Sequence, residues 1–153
     1  MHYIQKGMAA GLAAAAVVAA ILLLSAEMGV MPELDFVARI SALTGLGFAA
    51  GWALHFVFGA LLGGLFAWLD PDLPGDSLRQ RGIILASVAW ALMMFFLMPL
   101  SGAGFLGLNV GVLVPLGTLA LHVIFGAIMG GVYGWLILQA VPLRYRHTSE
   151  RYR

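Results

Sequence analysis

The chain has 153 residues, of which 62% are apolar and only 10% charged, and its mean hydropathy is +0.99. A soluble domain carries roughly 25% charged residues because its surface faces water, so eight basic and seven acidic side chains cannot cover a soluble particle of this size. The formal charge is only +1, and the lack of cysteine excludes disulfides, thiolate metal sites, iron–sulfur clusters and cysteine nucleophiles.

A spanning helix needs about 20 mostly apolar residues to cross roughly 30 Å of hydrocarbon. Four segments meet that requirement, at about 5–27, 47–69, 82–99 and 115–140. The first opens at Lys6. Its apolar run is long for a signal peptide and Leu24-Ser25-Ala26 is a poor cleavage site, so it reads as a retained helix. Beyond it, residues 33–44 carry Asp35 and Arg39 four apart with Leu34, Val37 and Ile40 roughly aligned, the pattern of a short interfacial helix. Asp70-Pro71 stops the second span, Arg79 and Arg81 open the third, and Met98-Pro99 closes it. The glycine-rich, uncharged stretch Ser101 to Gly111 should hug the bundle near the interface, with a re-entrant loop as the alternative. Pro115 suits the first turn of the fourth span, where its missing N–H is no loss.

Basic residues sort between the two sides. The N-terminus, the 70–81 loop and the C-terminal tail hold Lys6, Arg79, Arg81, Arg144, Arg146, Arg151 and Arg153, whereas the opposite side holds only Arg39. The positive-inside rule then places both termini in the cytoplasm of a multi-pass protein. The basic tail 144–153, with its interleaved tyrosines, is expected to lie on anionic lipid rather than nucleic acid.

The chain also repeats itself. Ala53 to Leu69 reads ALHFVFGALLGGLFAWL and Ala120 to Leu136 reads ALHVIFGAIMGGVYGWL, identical at ten of 17 positions at an offset of 67. That offset also carries Met31-Pro32 onto Met98-Pro99, while Lys6-Gly7 and Arg81-Gly82 match at an offset of 75. The expectation is an all-α membrane protein in which a duplicated helical hairpin forms a four-helix bundle, repeat 1 over about 5–69 and repeat 2 over about 80–136. A pseudo-two-fold would run along the membrane normal, and the first helix would be about two turns longer than the third.

With these motifs in order (Met31-Pro32-Glu33-Leu34-Asp35, Leu54-His55-Phe56, Met98-Pro99-Leu100-Ser101 and Leu121-His122-Val123) the chain resembles a family of small bacterial four-helix inner-membrane proteins of unknown function. The resemblance implies fold and location and carries no catalytic residues with it.

His55 and His122 are the strongest candidates for chemistry, because an intramembrane ionisable residue suggests function by default. Gly59 and Gly63 follow His55 at four-residue spacing, as Gly126 and Gly130 follow His122. Such a stripe serves close helix packing, with the imidazole bonded to a neighbouring helix, or it gives room to a bis-histidine haem b. The two uses conflict, since helices in glycine contact leave no space for a porphyrin. Glu27, which has no acidic counterpart in the second repeat, is a candidate proton site within reach of His55 or Arg39. Met28, Met31, Met93, Met94 and Met98 lie on the histidine side, where thioether and imidazole would suit Cu(I) but methionine is also an ordinary gap-filler. Trp68 and Trp135 read as an interfacial belt, and Trp90 as packed against a neighbour in mid-span.

No nucleophile elbow, phosphate loop or zinc-protease motif occurs. The expected function is therefore a non-catalytic membrane subunit or scaffold without cofactor, its partners the bilayer and other membrane subunits. A haem-binding electron carrier is the alternative, and a small proton or solute conductor the third reading.

Overall fold

The computed structural model describes residues 2–29, 41, 45 and 47–139, and the expected interfacial helix over 33–44 (Ser41 apart) and the basic tail lie outside them. The described residues are helical, with no strand among them. Four helices are long and apolar enough to cross a membrane: α1 Tyr3–Glu27, α2 Phe48–Leu69, α3 Leu78–Leu100 and α4 Val114–Gln139. A 3-10 turn, Asp70–Asp72, extends α2, and a wide π turn, Met93–Leu97, interrupts α3.

Local chemistry fixes the ends at the basic side. Ser77 caps α3: its Oγ accepts from Gln80 N–H at 3.2 Å, and Gln80 Oε1 accepts in return from Ser77 N–H at 3.2 Å. Arg81, one turn in, reaches back over the connection. Its Nη1 donates to the Asp70 carboxylate and carbonyl, both at 3.0 Å, and its Nε to the Gly75 carbonyl at 3.0 Å. This is the one salt bridge among the described residues, and it ties the end of α2 to the start of α3.

The distribution of side-chain size suits lipid outside the bundle. The buried residues of α1 are Gly7, Ala10, Gly11, Ala14, Ala15, Val18 and Ala19, while Leu12, Val17, Leu23 and Leu24 are exposed. Water would favour the reverse. In hydrocarbon, apolar surface gains nothing by burial, and helices associate where small residues let backbones touch.

Those contacts define two helix pairs, α1 with α2 and α3 with α4, joined where α1 packs on α4. In the first pair, a Cβ on Gly63 would strike the Gly7 carbonyl and one on Gly11 the Gly59 carbonyl. In the second, a Cβ on Gly126 would strike the Gly82 carbonyl and one on Gly130 the Leu78 carbonyl. Where the pairs meet, Phe66 of α2 and Tyr133 of α4 are both buried, their rings edge-to-face with centroids 5.4 Å apart.

Two features differ from the sequence expectation. Glycine seating matches Gly82 with Gly11 rather than with Gly7, so α3 sits one turn away from the register that its N-terminal sequence implies. The first helix is also not two turns longer, because α1 has 25 residues and the third span 23. The Met-Pro landmark misled here: α1 ends at Glu27, ahead of Met31-Pro32, whereas α3 continues through Pro99. A proline ring clashes with the carbonyl four residues back, here that of Phe95. The π turn just before Pro99, with Met98 N–H donating to the Met93 carbonyl, accommodates it without ending the helix.

The seats predict opposite outcomes for neighbouring glycines. Gly63→Ala should cost about 2 kcal/mol of stability in a detergent unfolding titration, because its neighbour is backbone and cannot yield. Gly64→Ala should be neutral or gain up to about 1 kcal/mol from helix propensity, since the Cβ meets side chains alone, the flexible Met8 at 3.2 Å and Ile4 at an ordinary 3.6 Å.

Candidate functional site

His55 lies on α2 seven residues after Phe48, in a run of aromatic side chains. Its ring is edge-on to Trp52 at 5.7 Å and to Phe56 at 5.4 Å. Because a carbonyl oxygen only accepts, the 3.0 Å contact between His55 Nε2 and the Ala15 carbonyl makes Nε2 the protonated nitrogen. This bond crosses from α2 to α1, one turn beyond the Gly11–Gly59 contact. Close glycine packing brings the α1 backbone within reach of the imidazole.

His122 occupies the matching place on α4 and is bonded differently. Its Nδ1–H donates at 2.8 Å to the Thr118 carbonyl of its own helix, one turn back. Thr118 is buried, and its hydroxyl donates to the Val114 carbonyl at 2.7 Å. That hydroxyl in turn accepts from the Trp90 indole N–H of α3 at 3.0 Å. The polar bond joining the second helix pair is thus Trp90–Thr118, while the histidine stays on its own helix.

Sequence differences account for the switch. Glycine seating places Ala86 where Ala15 stands in the first pair, and Trp90 where Ala19 stands. The repeat offset of 67 sets Thr118 against Gly51. Trp90 and Thr118 therefore supply a donor and an acceptor where the first pair has only small residues. Trp90 is expected from sequence to pack against a neighbour in mid-span, and Thr118 is not among the expected site residues. Its signal was present, as a hydroxyl standing in place of glycine one turn before a histidine.

The two imidazoles are engaged separately, His55 with the α1 backbone and His122 within α4. α2 and α4 meet at Phe66 and Tyr133, each 11 residues from its histidine, or about 16 Å along the helix. Gly59, Gly63, Gly126 and Gly130 face neighbouring backbone, so their stripes have no room for a macrocycle. The nitrogen of His55 that an axial haem ligand ordinarily presents is committed to Ala15. The described residues therefore do not fit a bis-histidine haem b.

Glu27 also departs from its expected pairing. It is exposed at the end of α1, 12 residues past Ala15 and so about 18 Å along the helix from the partner of His55. The carboxylate and imidazole do not meet, and Arg39 lies outside the described residues. Met94 and Met98 are buried with Ala103, wedged between α3 and the following loop, and Met28 is exposed on α1. Among the described residues no three His, Cys, Asp or Glu side chains gather as a metal site requires.

A family model covers residues 1–141, nearly the full length. The chain belongs to DUF6789, a family of unknown function. No curated protein and no solved structure matches it. Membership names the group without supplying a reaction.

The two cross-helix bonds should be separable by measurement. A Trp90→Phe and Thr118→Val double-mutant cycle should give a coupling of about 0.6 kcal/mol, the usual size for such bonds in a membrane interior. His55→Leu should lower stability by a similar amount. His122→Leu should cost less, because its bond joins no two helices.

Proposed function

We propose that this DUF6789 protein is a non-catalytic integral membrane subunit, or scaffold, of a larger membrane complex. It lies in the bacterial inner membrane with both termini in the cytoplasm, and it arose by tandem duplication of a helical hairpin. One observation carries the reading: the intramembrane polar side chains are spent on structure. His55 bonds the α1 backbone, His122 the α4 backbone, and Trp90 and Thr118 each other. Among the described residues no buried side-chain nitrogen or oxygen lacks a partner. A conductor needs polar groups lining a path, and a catalyst needs them presented to a substrate. Here they serve as fastenings.

The topology rests on Lys6, Arg79 and Arg81 at one end of the spans and the basic tail beyond. The duplication rests on the ten identities in 17 positions. The tail is assigned to anionic lipid, and the large exposed side chains to lipid and to the transmembrane helices of partner subunits.

Affinity purification at native expression from bacterial membranes, in a mild detergent, tests the reading. The expected product is a discrete complex with a second membrane protein at fixed stoichiometry, and recovery of the chain alone would overturn it. The haem alternative is tested on the same sample by its absorbance, oxidised and dithionite-reduced. No Soret band is expected; a band lost in both His55→Ala and His122→Ala would establish the electron carrier instead. Proton or solute flux in proteoliposomes should not exceed that of empty vesicles.

A further inference from the structure

The connection between α3 and α4 does not stand clear of the bundle. The 3-10 turn Phe105–Gly107 follows the end of α3 by only four residues, and the Phe105 ring then lies 5.4 Å from that of Phe95. Phe95 is five residues inside α3, about 7.5 Å below its end at Leu100. The chain therefore turns back and lays an aromatic side chain against the outer face of the helix it has just left. Phe105 is 58% exposed, Leu100 84% and Val112 76%. Phe95 and Phe96 on α3 and Leu116 on α4 are exposed as well.

The loop is also held in shape. Ala103 N–H donates to the Met98 carbonyl at 3.0 Å, Asn109 N–H to the Ala103 carbonyl at 3.0 Å, and Gly107 N–H to the Gly104 carbonyl at 3.0 Å. The Ser101 hydroxyl donates to the Met98 carbonyl at 2.8 Å. Leu106 adopts a left-handed φ of 57°, which is costly for a leucine. It packs against the Met94, Met98 and Ala103 cluster while its neighbour Phe105 stays exposed. No charged residue occurs between 82 and 143, so no ionised side chain opposes entry into lipid.

We propose that residues 100–113 form a membrane-inserted cap, lying in the interface with Leu100, Phe105 and Val112 dipped into the acyl boundary of the leaflet on that side. The depth of Phe95 agrees with the roughly 5–10 Å to which interfacial segments bury their apolar faces. Local hydrogen bonds satisfy much of the loop backbone, the condition for irregular chain to approach hydrocarbon. The occupant is lipid because the segment is uncharged, closes many of its backbone bonds locally, and joins two helices long and apolar enough to cross a membrane.

Site-directed spin labelling tests this directly, since the chain has no native cysteine to remove. Single cysteines at Leu100, Phe105 and Val112 would be labelled and the protein reconstituted in phosphatidylethanolamine and phosphatidylglycerol vesicles. References are Leu92, exposed two turns inside α3, and Asp76, in the charged connection at the opposite end. At Phe105 and Val112 the preference for collision with oxygen over a water-soluble nickel chelate should approach that of Leu92 and exceed that of Asp76 several-fold. Values like those of Asp76 would place the loop in water and overturn the proposal. Low access to both relaxers would also overturn it, in favour of a covering protein or a second copy. Should Phe105→Cys disturb folding, checked by circular dichroism, the more exposed Val112 carries the test alone.

Discussion

The structure depends on backbone meeting backbone at glycine. In hydrocarbon the interior of a bundle has no hydrophobic advantage over its exterior, so helices stay together through close contact and the bonds that closeness permits. Gly7, Gly11, Gly59 and Gly63 provide this in one pair, and Gly82, Gly126 and Gly130 with the Leu78 backbone in the other. The rest of the arrangement follows from that proximity. Bulky residues are driven outward because there is no room for them between the axes. A histidine on one helix can reach a carbonyl of the next without a long side chain or a bridging water.

The two pairs solve one problem with different chemistry. In the first, a single imidazole spans the gap and the α1 face around its acceptor is alanine and glycine. In the second, an indole and a hydroxyl span it one turn from where symmetry would put an alanine, and the histidine bonds locally. The surroundings diverge as well: Phe58 is 59% exposed on α2, while its repeat counterpart Phe125 on α4 is 9% exposed and belongs to the buried core cluster. Matched sequences thus occupy unmatched environments, so a repeat is not sufficient ground for assigning equal roles to its paired residues.

Much of the architecture was legible in the sequence because its signals are large and local. Twenty apolar residues in a row admit few interpretations, and the proline and arginine boundaries fell within a few residues of the helix ends. Register was not legible. Two glycines four apart on α4, Gly126 and Gly130, could each receive Gly82, and the letters alone do not say which one does. The polar partners were hidden for a related reason. The acceptor of His55 is a backbone carbonyl, which every residue has, and nothing in the letters singles out Ala15. The expected link from Glu27 to His55 failed on distance along α1, which depends on where Gly11 meets Gly59.

A face ruled at intervals of four behaves as a vernier. Moving one helix by four residues, about 6 Å, can again set bare backbone against glycine, as the Leu78 backbone stands where that of Gly7 does, while the side chains beside it acquire new neighbours. A membrane protein built on such faces can therefore change what surrounds its buried polar groups without first losing the association that keeps it folded. The one-turn offset between the two halves of this chain is an instance of that freedom, and the unlike bonding of His55 and His122 is its product.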